Sequence, residues 1–322
     1  MKMLKFLLTA SLPVTLATFS APAQTIAPAY SASYSVNNLG AVPGVPGLLG
    51  GAILEAGSPD TLLIGGNANA ADGGIYSITV TRGAGNQITG FSGTATLVAS
   101  APYIDGGLAY GPGGDLFFTE YPVNSIGEIK PGSVAPDKTV TLGSAGVASS
   151  VGGLQFVPAG FPGAGDFKIL SYNAGYWYTA GLTPDGSGTY NIGSATTPVF
   201  VGGGPEGVAY VPPGSADFSS PSVLVSDYGT GKIEAYQVDA NGDPIPGSAQ
   251  DFLTGLSGAE GAFIDPLTGD FVFSTFGGGN RVVEVEGFVA PPSVPDQAST
   301  VSLLLFSLGI VVGARRCATR IA

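Results

Sequence analysis

The sequence predicts an all-β fold, a β-propeller of about five four-stranded blades lying between two apolar ends. Three observations lead to it. Strands that open on glycine recur at intervals of about 46 to 56 residues, the period of a propeller blade. Each is followed by two or three further short runs rich in β-branched and aromatic residues, separated by Gly, Pro and Asn turns. No segment between the two ends shows the 3.6-residue periodicity of an amphipathic helix.

In chain order, residues 1–23 read as a secretory signal peptide. Lys2 and Lys5 form a basic start, Phe6 to Phe19 an apolar core interrupted by Pro13, and Ala21-Pro22-Ala23 a small-residue cleavage site before Gln24. Residues 24–290 are the propeller. Its first alternating run, Tyr30 to Val36, has no unit of its own. Five opening strands follow, led by Gly51-Ala52-Ile53-Leu54, Gly107-Leu108-Ala109-Tyr110, Gly153-Leu154-Gln155-Phe156, Gly207-Val208-Ala209-Tyr210 and Gly261-Ala262-Phe263-Ile264.

Second strands are expected at 61–64, 116–119, 167–171, 223–226 and 271–274, and third strands at 75–80, 125–129, 176–179, 233–238 and 281–285. Fourth strands read at 94–98, 138–142, 198–201 and 250–253, and the last unit lacks one. Pairing Tyr30 to Val36 with that unit would close the ring and cover two sheet edges that otherwise invite aggregation. The Gly- and Pro-rich stretch before Gly51 leaves room for a sixth blade.

Composition removes several function classes. The chain has 23 acidic and 11 basic residues and no histidine. Five of the basic residues, Lys2, Lys5, Arg315, Arg316 and Arg320, lie in the two ends, so the body is strongly acidic and repels nucleic acid. The single cysteine, Cys317, is in the tail. Ser-His-Asp and Cys-His catalysis, His/Cys zinc sites and structural disulfides are therefore excluded.

The tail is tripartite. Residues 291–300 form a Pro-rich linker and a short motif, Val294-Pro295-Asp296-Gln297-Ala298-Ser299-Thr300, and residues 301–322 an apolar stretch ending in Arg315, Arg316 and Arg320. The apolar run is short for a span, and the arginines would hold its end in the cytoplasm. This order resembles the C-terminal signal of the PEP-CTERM class in its VPD-type variant, departing from it at Gln297 and Ala298, where Ser and Gly are more typical. The resemblance implies export, transient inner-membrane anchoring through the tail, processing by an exosortase-type enzyme, and display at or release from the cell surface. It also implies bacteria that make extracellular polysaccharide, a partner class for the body. Val294, Pro295, Asp296, Ser299, Thr300, Arg315 and Arg316 are the residues that carry it. A plain C-terminal anchor is the other reading.

Within the body, Pro205-Glu206-Gly207-Val208-Ala209-Tyr210-Val211-Pro212 followed by Val225-Ser226-Asp227-Tyr228-Gly229-Thr230-Gly231-Lys232-Ile233 resembles the blades of NHL-type and gluconolactonase-like propellers. In the gluconolactonase-like family a channel metal is bound by Glu and Asn/Asp from loops of this kind. Propeller geometry puts two loop sets on one face: Asp105, Glu206 and Glu260 lead into inner strands, and Asn67, Glu120, Asn173 and Asp227 follow second strands. From these, Glu206, Glu260, Asn173 and Asp227 are the candidate metal ligands, with Ca²⁺ the ion that oxygen donors suit. The unit alignment puts Gly106 and Gly152 where Glu206 and Glu260 stand, which favours plain acidic loops and no cofactor.

Asp239-Ala240-Asn241-Gly242-Asp243 imitates the start of a calcium loop but lacks the downstream Glu, and Thr183-Pro184-Asp185-Gly186 occupies the same repeat position. It therefore reads as a hairpin turn. Tyr176-Trp177-Tyr178 is the densest aromatic cluster, and strand alternation favours its use in the core over sugar stacking. The function expected is a non-enzymatic binding or scaffold role in the envelope or polysaccharide matrix. The alternative is a metal-dependent lactonase or hydrolase.

Overall fold

The computed structural model describes residues 24–291, so the signal peptide and the sorting tail lie outside the described residues. Five antiparallel sheets form five blades of strands consecutive in the chain, save that the N-terminus adds an outer strand to the fourth and to the fifth. The first blade comprises Leu49–Glu55, Ser58–Gly66, Gly74–Arg82 and Ile88–Ser100, and the second Ile104–Tyr110, Leu116–Glu120, Ser125–Ile129 and Lys138–Thr141. The third comprises Val151–Phe156, Phe167–Ser171, Tyr176–Pro184 and Tyr190–Ala195, with Val199–Phe200 also pairing its third strand. The fourth comprises Pro205–Tyr210, Ser222–Asp227, Lys232–Gln237 and Gln250–Thr254. The fifth takes Ala259–Ile264, Phe271–Thr275 and Arg281–Glu286, and its outer strand comes from the N-terminus, Ser35–Ala41.

The ring thus closes as expected, with a shift of the closing strand. Tyr30 to Tyr34 is a turn, not a strand, because its two tyrosines are buried in the seam between the fourth and fifth blades. The Tyr34 ring packs 4.5 Å from that of Phe288 and edge-to-face 5.4 Å from that of Phe252, and its hydroxyl donates to the Ala216 carbonyl. Thr25–Ile26 adds a further strand to the outer edge of the fourth blade. Among the described residues, those before Gly51 hold this clasp and no sixth blade.

The repeated glycine has a steric cause. A Cβ on Gly51 would lie 2.6 Å from Leu108 Cβ, one on Gly107 2.7 Å from Leu154 N, one on Gly207 2.7 Å from Ala262 N, and one on Gly261 2.8 Å from Ala52 N. On Gly153 it would collide with the Glu206 carbonyl oxygen. Each inner strand therefore presses bare backbone against the next, in cyclic order around the axis. Gly261 also lies close across the axis, where a Cβ would stand 2.8 Å from the Gly106 carbonyl oxygen, and the channel is closed at its waist. All five inner strands carry a bulge beside these glycines. Buried hydroxyls satisfy the disrupted ladder: Thr119 Oγ1 accepts from Gly107 N (2.9 Å) and donates to the Gly152 carbonyl (2.7 Å) of the next blade.

Between blades the core is apolar, with Phe117, Phe118, Phe167, Phe252, Phe271 and Phe273 fully buried. Trp177 belongs to it, at 1 % exposure, and donates from Nε1 to Asp243 Oδ1 at 2.8 Å. The Asp239–Asp243 loop is a hairpin turn: the Asp239 carboxylate caps the N–H groups of Asn241 and Asp243, while Asp243 turns inward to the buried Lys168 at 2.7 Å. Asp243 Oδ1 is committed to the fold.

Candidate functional site in the channel mouth

The closed waist leaves a separate mouth at each end of the channel. The second residue of an inner strand points into the mouth where the strands begin. In the fourth and fifth blades this residue is Glu206 and Glu260, and in the first and third it is Gly50 and Gly152. In the second blade it is Asp105, because that bulge is one residue longer. From Ile104 to Leu108 the strand advances four residues while its partner moves two, from Glu120 to Phe118; the bulges opened by Leu49, Pro205 and Ala259 advance three against two. The equivalence drawn from sequence between Gly106 and Glu206 is thereby corrected.

Asp105, Glu206 and Glu260 converge, each offering an oxygen within 4.8 Å of the others, and all are almost fully buried. Asp105 Oδ2, Glu206 Oε2 and Glu260 Oε1 have no N–H or O–H donor. Three such carboxylates cannot all stay charged without a counter-ion. Burial pushes Asp105 up to about 7, against the pull of hydrogen bonds from the Asn69 side chain and the Gly106 N–H. Burial, and then the charge of Asp105, drives Glu206 well above the carboxylate range; Glu260 is raised likewise by burial and by Glu206. Without a cation such a cluster must take up protons, and both glutamates are near enough to Asp105 to share one with it.

Above this floor stand walls that sequence reasoning missed. Tyr121, Tyr172, Tyr228 and Phe276 occupy one position in four blades, immediately after the second strand, and line the mouth with Asn69. Neighbouring rings meet edge-to-face at 5.7, 5.8 and 5.9 Å, with interplanar angles of 85°, 75° and 73°. In the first blade the equivalent residue is Asn67, and the turn beyond it brings in Asn69, held by its N–H to the Ile104 carbonyl (3.0 Å). The mouth has a volume of about 320 Å³, and none of its lining residues is basic.

Of the four candidate ligands, the structure brings Glu206 and Glu260 together and leaves Asn173 and Asp227 apart. Strand alternation is the reason. Tyr228 turns into the mouth, so Asp227, one residue earlier, points the other way. It is buried beneath Gly203, where burial and then Glu234 raise it to about 9. Glu120 is displaced in the same manner by Tyr121, and Thr139 donates to it at 3.4 Å. Asn173 lies one residue beyond Tyr172, exposed, with its Oδ1 accepting the Ser150 N–H at 2.8 Å. Asp105, which leads into an inner strand, is the third member of the cluster. The sorting-motif residues Val294, Pro295, Asp296, Ser299, Thr300, Arg315 and Arg316 lie outside the described residues.

The opposite mouth differs in kind. A cavity of about 540 Å³ is lined there by Ile53, Tyr210, Phe263, Ile264 and several prolines, Pro291 among them. Pro291, the last described residue, lies at that face, away from the carboxylates.

Comparison with known proteins bears on the tail. Residues 293–316 match the VPDSG-CTERM motif, a C-terminal sorting signal that indicates an exported protein. No curated protein matches the chain. Among solved structures, the chain is similar to the aldose sugar dehydrogenase of Streptomyces coelicolor in its PQQ-bound form, at 17% identity and a TM-score of 0.42 over 77% of this chain and 83% of that one. It is also similar to a protein assigned as a gluconolactonase, at 12% identity and a TM-score of 0.43 over 81% and 95%. The PQQ domain of pyranose dehydrogenase from Coprinopsis cinerea is a third, at 11% and 0.41 over 83% and 98%. No helix among the described residues is long and apolar enough to cross a membrane.

Proposed function

We propose that this exported five-bladed propeller is a binding or scaffold protein of the cell envelope or polysaccharide matrix, and that its acidic mouth seats a divalent cation, Ca²⁺. The observation that carries this is the convergence of Asp105, Glu206 and Glu260 within 4.8 Å, all buried and each with one oxygen that no donor reaches. A hard cation fits that set: it takes six to eight oxygens at about 2.3–2.6 Å, and carboxylates with Asn69 and water can provide them. The tail would be anchored in the inner membrane and handed to an exosortase-type enzyme.

The site favours binding over catalysis. Once its three carboxylates hold a cation, the remaining lining residues are Asn69, three tyrosines and a phenylalanine, none of them a general base near neutral pH. A metal-dependent lactonase or hydrolase is the weaker reading for that reason. Calorimetric titration of the chelator-treated protein with Ca²⁺ tests the proposal. Heat of binding with a rise in melting temperature is expected, with Glu206→Gln weakening affinity about tenfold or more. Absence of heat and of thermal shift in the unmodified protein would overturn it.

A further inference from the structure

The carboxylates explain the floor of the mouth and leave its walls without a purpose. A hard metal ion takes oxygen ligands and gains little from an aromatic surface, yet four of five blades put an aromatic ring at the same position. These rings are not core: all four are half-buried and open to the mouth. Among the described residues the hydroxyls of Tyr121, Tyr172 and Tyr228 make no hydrogen bond, so the rings are not held there by polar contacts. With three carboxylates below and no basic residue in the lining, an anionic ligand such as a phosphate or a uronate is repelled.

Aromatic walls over a negative floor suit a cation that also has apolar surface. Ring quadrupoles attract an ammonium group, most strongly when it is desolvated, and its alkyl groups gain from burial against the same rings. We infer that the mouth binds a small organic ammonium ion, of the alkylammonium or quaternary ammonium class, seated on Asp105, Glu206 and Glu260 and enclosed by Tyr121, Tyr172, Tyr228 and Phe276. A volume of about 320 Å³ accommodates such an ion and not a folded partner or polymer. This inference rests on the reading of the carboxylates as a cation seat, and it makes Ca²⁺ and the ammonium ion competitors for that seat.

The test uses the full chain, chelator-treated and at low salt, titrated with choline, with tetramethylammonium, with 3,3-dimethylbutanol as the uncharged counterpart of choline, and with Ca²⁺. Choline and tetramethylammonium should bind and the alcohol should bind at least about tenfold more weakly. Tyr228→Ala and Tyr172→Ala should weaken choline about tenfold while leaving Ca²⁺ affinity within about twofold, which also shows that these variants fold. Glu206→Gln should weaken both ligands, and added Ca²⁺ should raise the apparent Kd for choline. Silence toward both ammonium ions with intact Ca²⁺ binding would overturn the inference alone. Silence toward all cations would overturn the carboxylate seat as well. Equal binding of choline and the alcohol would show an apolar pocket without cation recognition.

Discussion

The Glu206 carboxylate occupies the space that a side chain at Gly152 would fill: a Cβ there would lie 2.6 Å from Glu206 Oε2. The absence of a side chain in the third blade is thus as much a part of the cation seat as the carboxylates of the second, fourth and fifth.

Gly152→Ala should accordingly displace Glu206 and weaken Ca²⁺ binding about tenfold or more. The same Cβ meets the Pro205 carbonyl oxygen at 2.7 Å, so the variant should also lose about 1–3 kcal/mol from overpacking. Calorimetry with Ca²⁺ and a urea melt, run on one preparation, separate the two effects. Unchanged affinity would show that Glu206 does not need this space.

Four buried carboxylates outside the seat predict an inverted pH dependence. Burial raises Glu120 and Glu128 to about 7 and Glu284 to about 8, and burial with Glu234 raises Asp227 to about 9. Between the ordinary carboxylate range and these values the folded chain binds more protons than the unfolded one, so stability falls as pH rises. Each group contributes a slope of up to about 1.4 kcal/mol per pH unit within its own window. The metal-free protein should therefore melt several degrees lower at pH 8.5 than at pH 5.5, as calorimetry would show. A melting temperature that rises across this range would contradict the burial of these groups.

The clasp gives a prediction on assembly. Removing residues 24–41 strips the fifth blade of its outer strand Ser35–Ala41 and the fourth of Thr25–Ile26, exposing two edges, and should promote aggregation visible by light scattering. Tyr34→Ala, which removes a ring packed against Phe218, Phe252 and Phe288, should cost about 3–5 kcal/mol with the strand still in place. A deletion variant of unchanged stability that does not aggregate would show that the ring closes without the N-terminus.

The fold was legible because each cause is local and repeated. The inner glycines recur since backbone must touch backbone around the axis, and the runs at 116–119, 167–171 and 271–274 fall within second strands. The closing strand was misplaced by five residues because Tyr30 and Tyr34 alternate like strand residues while serving as turn residues packed in a seam. In the site, Glu206 and Glu260 were legible from the glycine that follows each. Asp105 stood among the loop residues, but its equivalence to them depends on a bulge one residue longer, which no spacing rule reveals. The aromatic collar left a trace that register alone could decode: Glu120-Tyr121, Ser171-Tyr172, Asp227-Tyr228 and Thr275-Phe276 share one strand end, and alternation sends the second residue of each pair to the mouth.

Asp243 separates fold from site. Lys168 has no exposed side-chain surface, and it donates to Asp243 Oδ1 at 2.7 Å, to Thr179 Oγ1 at 2.7 Å and to the Asn241 carbonyl at 2.8 Å. Asp166, at 3.6 Å and half in solvent, is its only other acidic neighbour among the described residues. Asp243→Ala leaves a buried ammonium short of its main counter-charge and Trp177 Nε1 without an acceptor. A loss of about 3–5 kcal/mol is expected. Pairing it with Lys168→Met should restore part of this, since the unpaired charge goes as well. Trp177 is the only tryptophan, so its fluorescence reports the local change directly. Ca²⁺ affinity should be unchanged in both variants, because this network lies between the third and fourth blades and supplies no oxygen to the mouth. Loss of Ca²⁺ binding in a folded Asp243→Ala protein would return the Asp239–Asp243 loop to consideration as the cation site.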